Sequence, residues 1–219
     1  VILVAPTPDQ PLRAIPNARI EGSSALDEWR LAGDGLALVA RGEGAPGQID
    51  ADPDYPAFDQ LCRVEGSGSI DGAEVAVDCL GVRSARDDID LAANDSIRRV
   101  ATWFDPDEAI ALVAIRPRKS KGHGRDDVSA SVLAGGEATV VPDPRLSTTY
   151  APDGTPARAG LELWLDNEEG QQYPRRAAGE SVASGTKVAY PGLELTAELF
   201  RWHSRGRDGA GVYLLARPA

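Results

Sequence analysis

A chain of 219 residues that is 42% hydrophobic has enough apolar material for a sizeable core, and too much to stay disordered. The formal net charge of −11 comes from 34 acidic and 23 basic side chains, and it argues against nucleic acid or an anionic membrane surface as a partner. No apolar run approaches the ~20 residues of a membrane helix, so membrane insertion is not expected.

The chain opens Val-Ile-Leu-Val-Ala-Pro, which is too short for a secretory signal core and has no basic lead. Position 1 is Val rather than Met, which leaves room for a trimmed leader. From there, strand-like runs recur with turn chemistry between them. Runs at 26–32 and 36–42 flank Gly33-Asp34-Gly35. Runs at 60–70 and 73–80 flank Asp71-Gly72, the clearest hairpin signal in the chain. Residues 87–99 have room for a short helix, but Asn94-Asp95-Ser96 interrupts it. Further runs at 97–104 and 109–116 flank Asp105-Pro106-Asp107, and those at 128–133 and 138–141 flank Gly135-Gly136. Runs at 161–166, 177–183, 193–204 and 210–216 complete the set.

Alternation within these runs is of period two, the mark of half-buried strands. Val75, Val77 and Cys79 share a face opposite Asp78. Leu161, Leu163 and Leu165 oppose Glu162, Trp164 and Asp166. Leu193, Leu195, Ala197 and Leu199 oppose a face carrying Glu198, Phe200 and Trp202. The expectation is an all-β protein of antiparallel barrel or sandwich units, two of them packed together. The strand pattern lapses at 86–96, which divides an N-terminal unit, 1–95, from a C-terminal barrel unit, 96–219.

A two-residue turn at Asp71-Gly72 sets Val64 opposite Cys79. Cys62 is then a diagonal neighbour of Cys79 at roughly 7–8 Å, too far for an unstrained disulfide. Two free, buried thiols are expected, which points to a reducing, cytoplasmic setting.

The same register puts Glu65 directly opposite Asp78. Paired carboxylates can raise one pKa and yield a general acid, although Arg63 stands close enough to neutralise them. The segment from Gly81 to Asp88 sets Arg83 and Arg86 beside two aspartates, in a place where barrel-mouth loops carry ligand contacts. Later strands join aromatic and polar residues: Trp103 with Arg99, Trp164 with Glu162, and Phe200 and Trp202 with Glu198. Such a wall can bind and orient an apolar ligand, or it can be ordinary core. The chain has only two histidines, His123 in a basic loop and His203, and neither has the spacing of a metal site. No Gly-x-Ser-x-Gly and no phosphate-binding Gly-rich motif is present.

Several stretches resemble the lipocalin-like superfamily of carotenoid 1,2-hydratases and natural-product Diels–Alderases. They are Phe58-Asp59-Gln60-Leu61-Cys62-Arg63-Val64-Glu65-Gly66, Val77-Asp78-Cys79-Leu80-Gly81-Val82-Arg83-Ser84, Ile97-Arg98-Arg99-Val100-Ala101-Thr102-Trp103-Phe104, Leu161-Glu162-Leu163-Trp164 and Phe200-Arg201-Trp202. The family's Gly-x-Arg followed by Ser-Trp-Gly and Arg is matched by Gly81, Arg83, Ser84 and Arg86, without the Trp-Gly. The resemblance implies a β-barrel cavity for a polyene or terpenoid-like substrate, and cyclisation or hydration with no metal or organic cofactor. On that reading Glu65, Asp78 and Glu162 supply the acid and Arg83 polarises the substrate. Arg99, Trp103, Trp164, Phe200 and Trp202 line the ligand site. A non-catalytic carrier of a hydrophobic small molecule needs the same cavity without the acid.

Overall fold

The computed structural model describes residues 2–4, 12–15, 18–22, 28–33, 35–43, 47–48, 58–70, 72–85, 92–119, 126–166, 170–182 and 185–219. Every regular element among them is a β-strand. A short ribbon pairs β1 (Ile2–Val4) with β2 (Arg13–Ile15). A six-stranded antiparallel sheet follows: β3 (Arg19–Gly22), β4 (Glu28–Gly33), β5 (Leu36–Gly42), β6 (Gly47–Gln48), β7 (Phe58–Ile70) and β8 (Ala73–Ala85).

The β7–β8 hairpin has the register that a two-residue turn dictates. Ile70 pairs with Ala73, Val64 with Cys79 and Glu65 with Asp78. Gly72 takes φ +81, a conformation glycine adopts without steric cost. Both cysteines are free; Cys62 is buried as expected, whereas Cys79 is exposed. The difference follows from position, because β8 pairs only with β7 among the described strands.

The remaining strands form one ten-stranded antiparallel sheet. They are β9 (Asn94–Asp105), β10 (Glu108–Pro117), β11 (Asp127–Ala134), β12 (Glu137–Val140), β13 (Asp143–Tyr150), β14 (Pro156–Asp166), β15 (Gln172–Ser181), β16 (Thr186–Tyr190), β17 (Leu193–Ser204) and β18 (Arg207–Pro218). Residues 94–99 are thus strand rather than helix, and 87–91 lie outside the described residues. The sheet runs from β12 at one end to β13 at the other, and only Val141 and Pro142 separate these two strands in the chain. One nearly continuous segment therefore pairs with β11 at its start and with β14 further on. In the same way β15 and β16 share one side of β17. With β18 pairing onto β9 in its middle, the sheet curls into a lipocalin-like half-barrel.

Alternation decides what fills this barrel. Val100, Ile110, Leu112, Leu161, Leu163, Phe200, Trp202, Tyr213 and Leu215 pack together in its interior. Phe200 lies 5.6 Å from Trp202 and 5.2 Å from Tyr213, centroid to centroid. A Cβ on Gly179 would lie 2.6 Å from the Trp202 ring, so glycine is what lets the indole press against β15. A barrel of this size either fills with side chains or holds one small ligand, and here the three aromatic rings occupy the middle.

Buried ion pairs cap the two ends. Arg98 pairs with Asp126 near the start of β9, and Arg175 pairs with Glu108 beside Phe104 near its end. Thr148 and Tyr213 share a hydrogen bond of 2.6 Å across the interior, with Arg98 3.5 Å from the same threonine hydroxyl. Burial pushes the Tyr213 hydroxyl pKa up.

The two sheets meet on the outer face of the barrel. Leu61, Leu80 and Val82 of the smaller sheet pack on Trp103, Ala109, Ala111 and Leu133. Elsewhere on that face Leu12 covers Ala197, Leu199, Val212 and Leu214. The residue just before β2 therefore packs on the barrel rather than on the smaller sheet. No helix among the described residues is long and apolar enough to cross a membrane.

Candidate functional site

The residues singled out in the sequence do not converge on one place. Glu65 and Asp78 are directly opposed on β7 and β8, but both are exposed and ion-paired. Arg41 holds Glu65 and Arg63 holds Asp78, each at 2.6 Å. Glu162 lies on the outer face of β14 opposite Arg176, 3.4 Å away. Such exposed cross-strand ion pairs contribute little stability.

Arg83 is buried in the smaller sheet. Its Nε donates to Gln60 Oε1 at 2.6 Å, and its guanidinium lies 4.6 Å from the Trp29 ring centroid. Gln60 and Arg83 are cross-strand partners, so this arrangement is built by the β7–β8 register itself.

The aromatic residues divide between two compartments. Phe200 and Trp202 point into the barrel core. Trp103 lies between the sheets, where its Nε1–H donates to the Gly81 carbonyl at 3.2 Å. Trp164 shares the outer face of β14 with Glu162, because Leu163 and Leu165 take the inner face. Strands β14 and β17 thus bury opposite kinds of face: aliphatic on β14, aromatic on β17.

Arg99 lies where the packing leaves space. A cleft of about 190 Å³ is lined by Arg99, Val100 and Ala101 of β9, Val212 and Leu214 of β18, Leu112 of β10 and Val82 of β8. Apart from Arg99 its lining is apolar. Alternation on β9 puts Arg99 and Ala101 on the same outer face as Trp103, so the cleft adjoins the junction of the two sheets.

One acid escaped the sequence-based assignment. Glu198 is buried and points into the barrel from β17, where strand pairing passes from β15 to β16. Ser181 Oγ–H donates to its Oε2 at 3.0 Å, and the Gly185 N–H also donates to the carboxyl group. No ion pair to it is found among the described residues. Burial raises its pKa, the nearby Asp153 adds to the shift, and Lys187 opposes it. Its signal was present in the sequence as an acid on the aromatic face of 193–204, but alternation alone does not show that this face is enclosed.

Burial also pushes the Cys62 thiol up to about 12, with Arg83 pulling in the opposite direction. His203 is exposed and meets Asp208 at 3.0 Å, whereas His123 lies outside the described residues. Among the described residues no group of three His, Cys, Asp or Glu side chains is placed to hold a metal.

No protein-family model matches the chain, and no curated protein sequence does. Among solved structures it is similar to that of "a putative AttH (NE1406)" from Nitrosomonas europaea, with a TM-score of 0.58 and 10% sequence identity. The match covers 90% of this chain and 67% of that one. At this identity the likeness is one of fold.

Proposed function

We propose that this protein binds an apolar, polyene- or terpenoid-like small molecule in the cleft beside the sheet junction. On this reading it promotes cyclisation or hydration without a cofactor, in the manner of the carotenoid 1,2-hydratase and Diels–Alderase superfamily it resembles. The observation that carries the reading is the cleft itself. The barrel is filled by its own rings, yet space of about 190 Å³ remains beside the sheet junction, lined among the described residues by apolar residues and one arginine. Aliphatic walls favour an apolar guest, and a single polar group fixes its orientation. Enclosing a flexible chain in a reactive fold lowers a cyclisation barrier by removing orientational entropy beforehand.

A carrier is the second reading, and one feature favours it: among the described residues no carboxylate lines the cleft. Glu65, Asp78 and Glu162 stand in exposed ion pairs, and Glu198 faces the barrel interior. Native mass spectrometry of protein purified from its own host tests both readings. The expected result is a retained apolar molecule that is lost in Ala101→Trp, which fills the cleft, while the circular dichroism spectrum is kept. Retention in Ala101→Trp would place the ligand elsewhere and end the proposal. A chemically altered molecule after incubation identifies an enzyme, and an unchanged one a carrier.

A further inference from the structure

The cleft is one stretch of a longer apolar band on the outer face of the barrel. Two cross-strand rows run through it. In the first, Leu199 of β17 lies opposite Val212 of β18, Val212 opposite Ala101 of β9, and Ala101 opposite Ala111 of β10. In the second, Ala197, Leu214, Arg99 and Val113 follow in the same strand order. Neighbouring strands stand about 4.8 Å apart, so each row spans roughly 14 Å. Val212 and Leu214 line the cleft, and the same two side chains pack in the cluster that Leu12 covers. The first row is apolar throughout. It leads from beneath Leu12, through the cleft, to the sheet junction at Ala111.

The two ends of this band are held differently. At the junction, Val82 belongs to the 13-residue strand β8. Its sheet is fastened there by the packing of Leu61, Leu80 and Val82 and by the Trp103 hydrogen bond. At the other end, beyond Val212 and Leu214, stands one leucine, only 5% exposed. It leads into a ribbon of two three-residue strands, and so short a ribbon has little stability of its own. A linear guest in the cleft thus has a firmly built wall on one side and a single side chain on the other.

We infer that Leu12 sets the length of apolar chain the site accepts: a linear aliphatic or isoprenoid tail lies across the strands along the band and ends against Leu12. The inference rests on the cleft being the ligand site. Leu12 is here a specificity-determining residue, which selects the guest by length and takes no part in any chemistry.

Isothermal titration with straight-chain alcohols of about four to twelve carbons tests this, because each buried methylene should tighten binding by about 3- to 4-fold. The gain should stop at the length where the tail meets Leu12. Leu12→Ala removes most of the stop and should move that break to alcohols about two or three carbons longer. Leu12→Phe should move it to shorter ones. Alcohols below the break should bind the wild type and Leu12→Ala alike, within about 2-fold, which a general loosening of the fold would not give. A break at the same length in all of them, with binding abolished by Ala101→Trp, would overturn the role of Leu12 while leaving the cleft as the site. Binding that survives Ala101→Trp, or no binding of any alcohol by the wild type, would overturn the cleft reading itself. Thermal melts check the fold of each variant, and where Leu12→Ala melts early the shift in Leu12→Phe decides.

Discussion

The Trp103 indole donates its N–H to the Gly81 carbonyl at 3.2 Å, and so ties the barrel to the smaller sheet. The same ring packs against Leu61, Leu80 and Val82. This one side chain supplies both a directional bond and apolar contact at the junction beside the candidate cleft.

Trp103→Phe keeps most of the apolar contact and removes the donor. We expect a loss of about 1 kcal/mol, the net worth of one hydrogen bond, with the freed carbonyl adding to it where water cannot reach. Trp103→Ala leaves a cavity and should cost about 3–5 kcal/mol. Urea denaturation midpoints measure both. Equal, small losses would mean that the junction relaxes around any residue at this position.

Glu198 should give the protein a distinct pH dependence. Its folded-state pKa is raised, chiefly by burial, so the folded form binds the proton more tightly than the unfolded form. The corresponding stability is fully present below the unfolded value of about 4.3 and is lost as pH rises through the folded value. Glu198→Gln keeps the shape and cannot ionise. The melting temperature of the wild type minus that of Glu198→Gln should therefore fall as pH increases from about 4 to 8. A flat difference would show that Glu198 ionises at no cost.

The pair Arg98–Asp126 is buried on both sides. Arg98→Met would leave the Asp126 carboxylate enclosed without a counter-charge, at a cost of about 3–5 kcal/mol. The double variant Arg98→Met with Asp126→Leu should recover most of that loss, because an apolar pair needs no desolvation. Urea midpoints of the single and double variants decide the matter. A double variant as weak as the single one would assign the loss to packing instead.

The two thiols should differ in reactivity. Cys62 is buried with its pKa pushed up to about 12, whereas Cys79 is exposed. Partial desolvation and the neighbouring Asp78 still raise Cys79, so its thiolate is scarcer than that of a free thiol. At pH about 8 a disulfide reagent should modify Cys79 slowly and leave Cys62 untouched until the protein is unfolded. Rapid reaction of both in the native protein would show that the smaller sheet opens readily.

The β7–β8 hairpin was legible because its information is local. Asp71-Gly72 sets the turn, and the turn sets the register over the whole hairpin. Strand β13 was missed because Pro144, Ser147, Thr148 and Thr149 blur its alternation, and its Thr148 faces inward to meet Tyr213. Strand β16 was missed because it is short and bounded by the Pro191-Gly192 turn. Of the candidate site, Arg99 was legible as a cation beside a tryptophan. Its neighbours in the cleft come from β8, β10 and β18, far apart in the chain, and nothing local joins them.

From the sequence alone came an all-β chain and its principal hairpins, because turn residues and period-two alternation act over a few residues. Alternation shows that two faces differ, but not which of them is enclosed. That was decided by the curl of the ten-stranded sheet, in whose middle β18 pairs with β9. The curl put the leucines of β14 and the aromatic rings of β17 in the same interior, and left Trp103, Trp164 and Arg99 outside. Because the rings fill the interior, the cleft proposed here as a ligand site lies on the barrel's outer face, beside the junction of its two sheets.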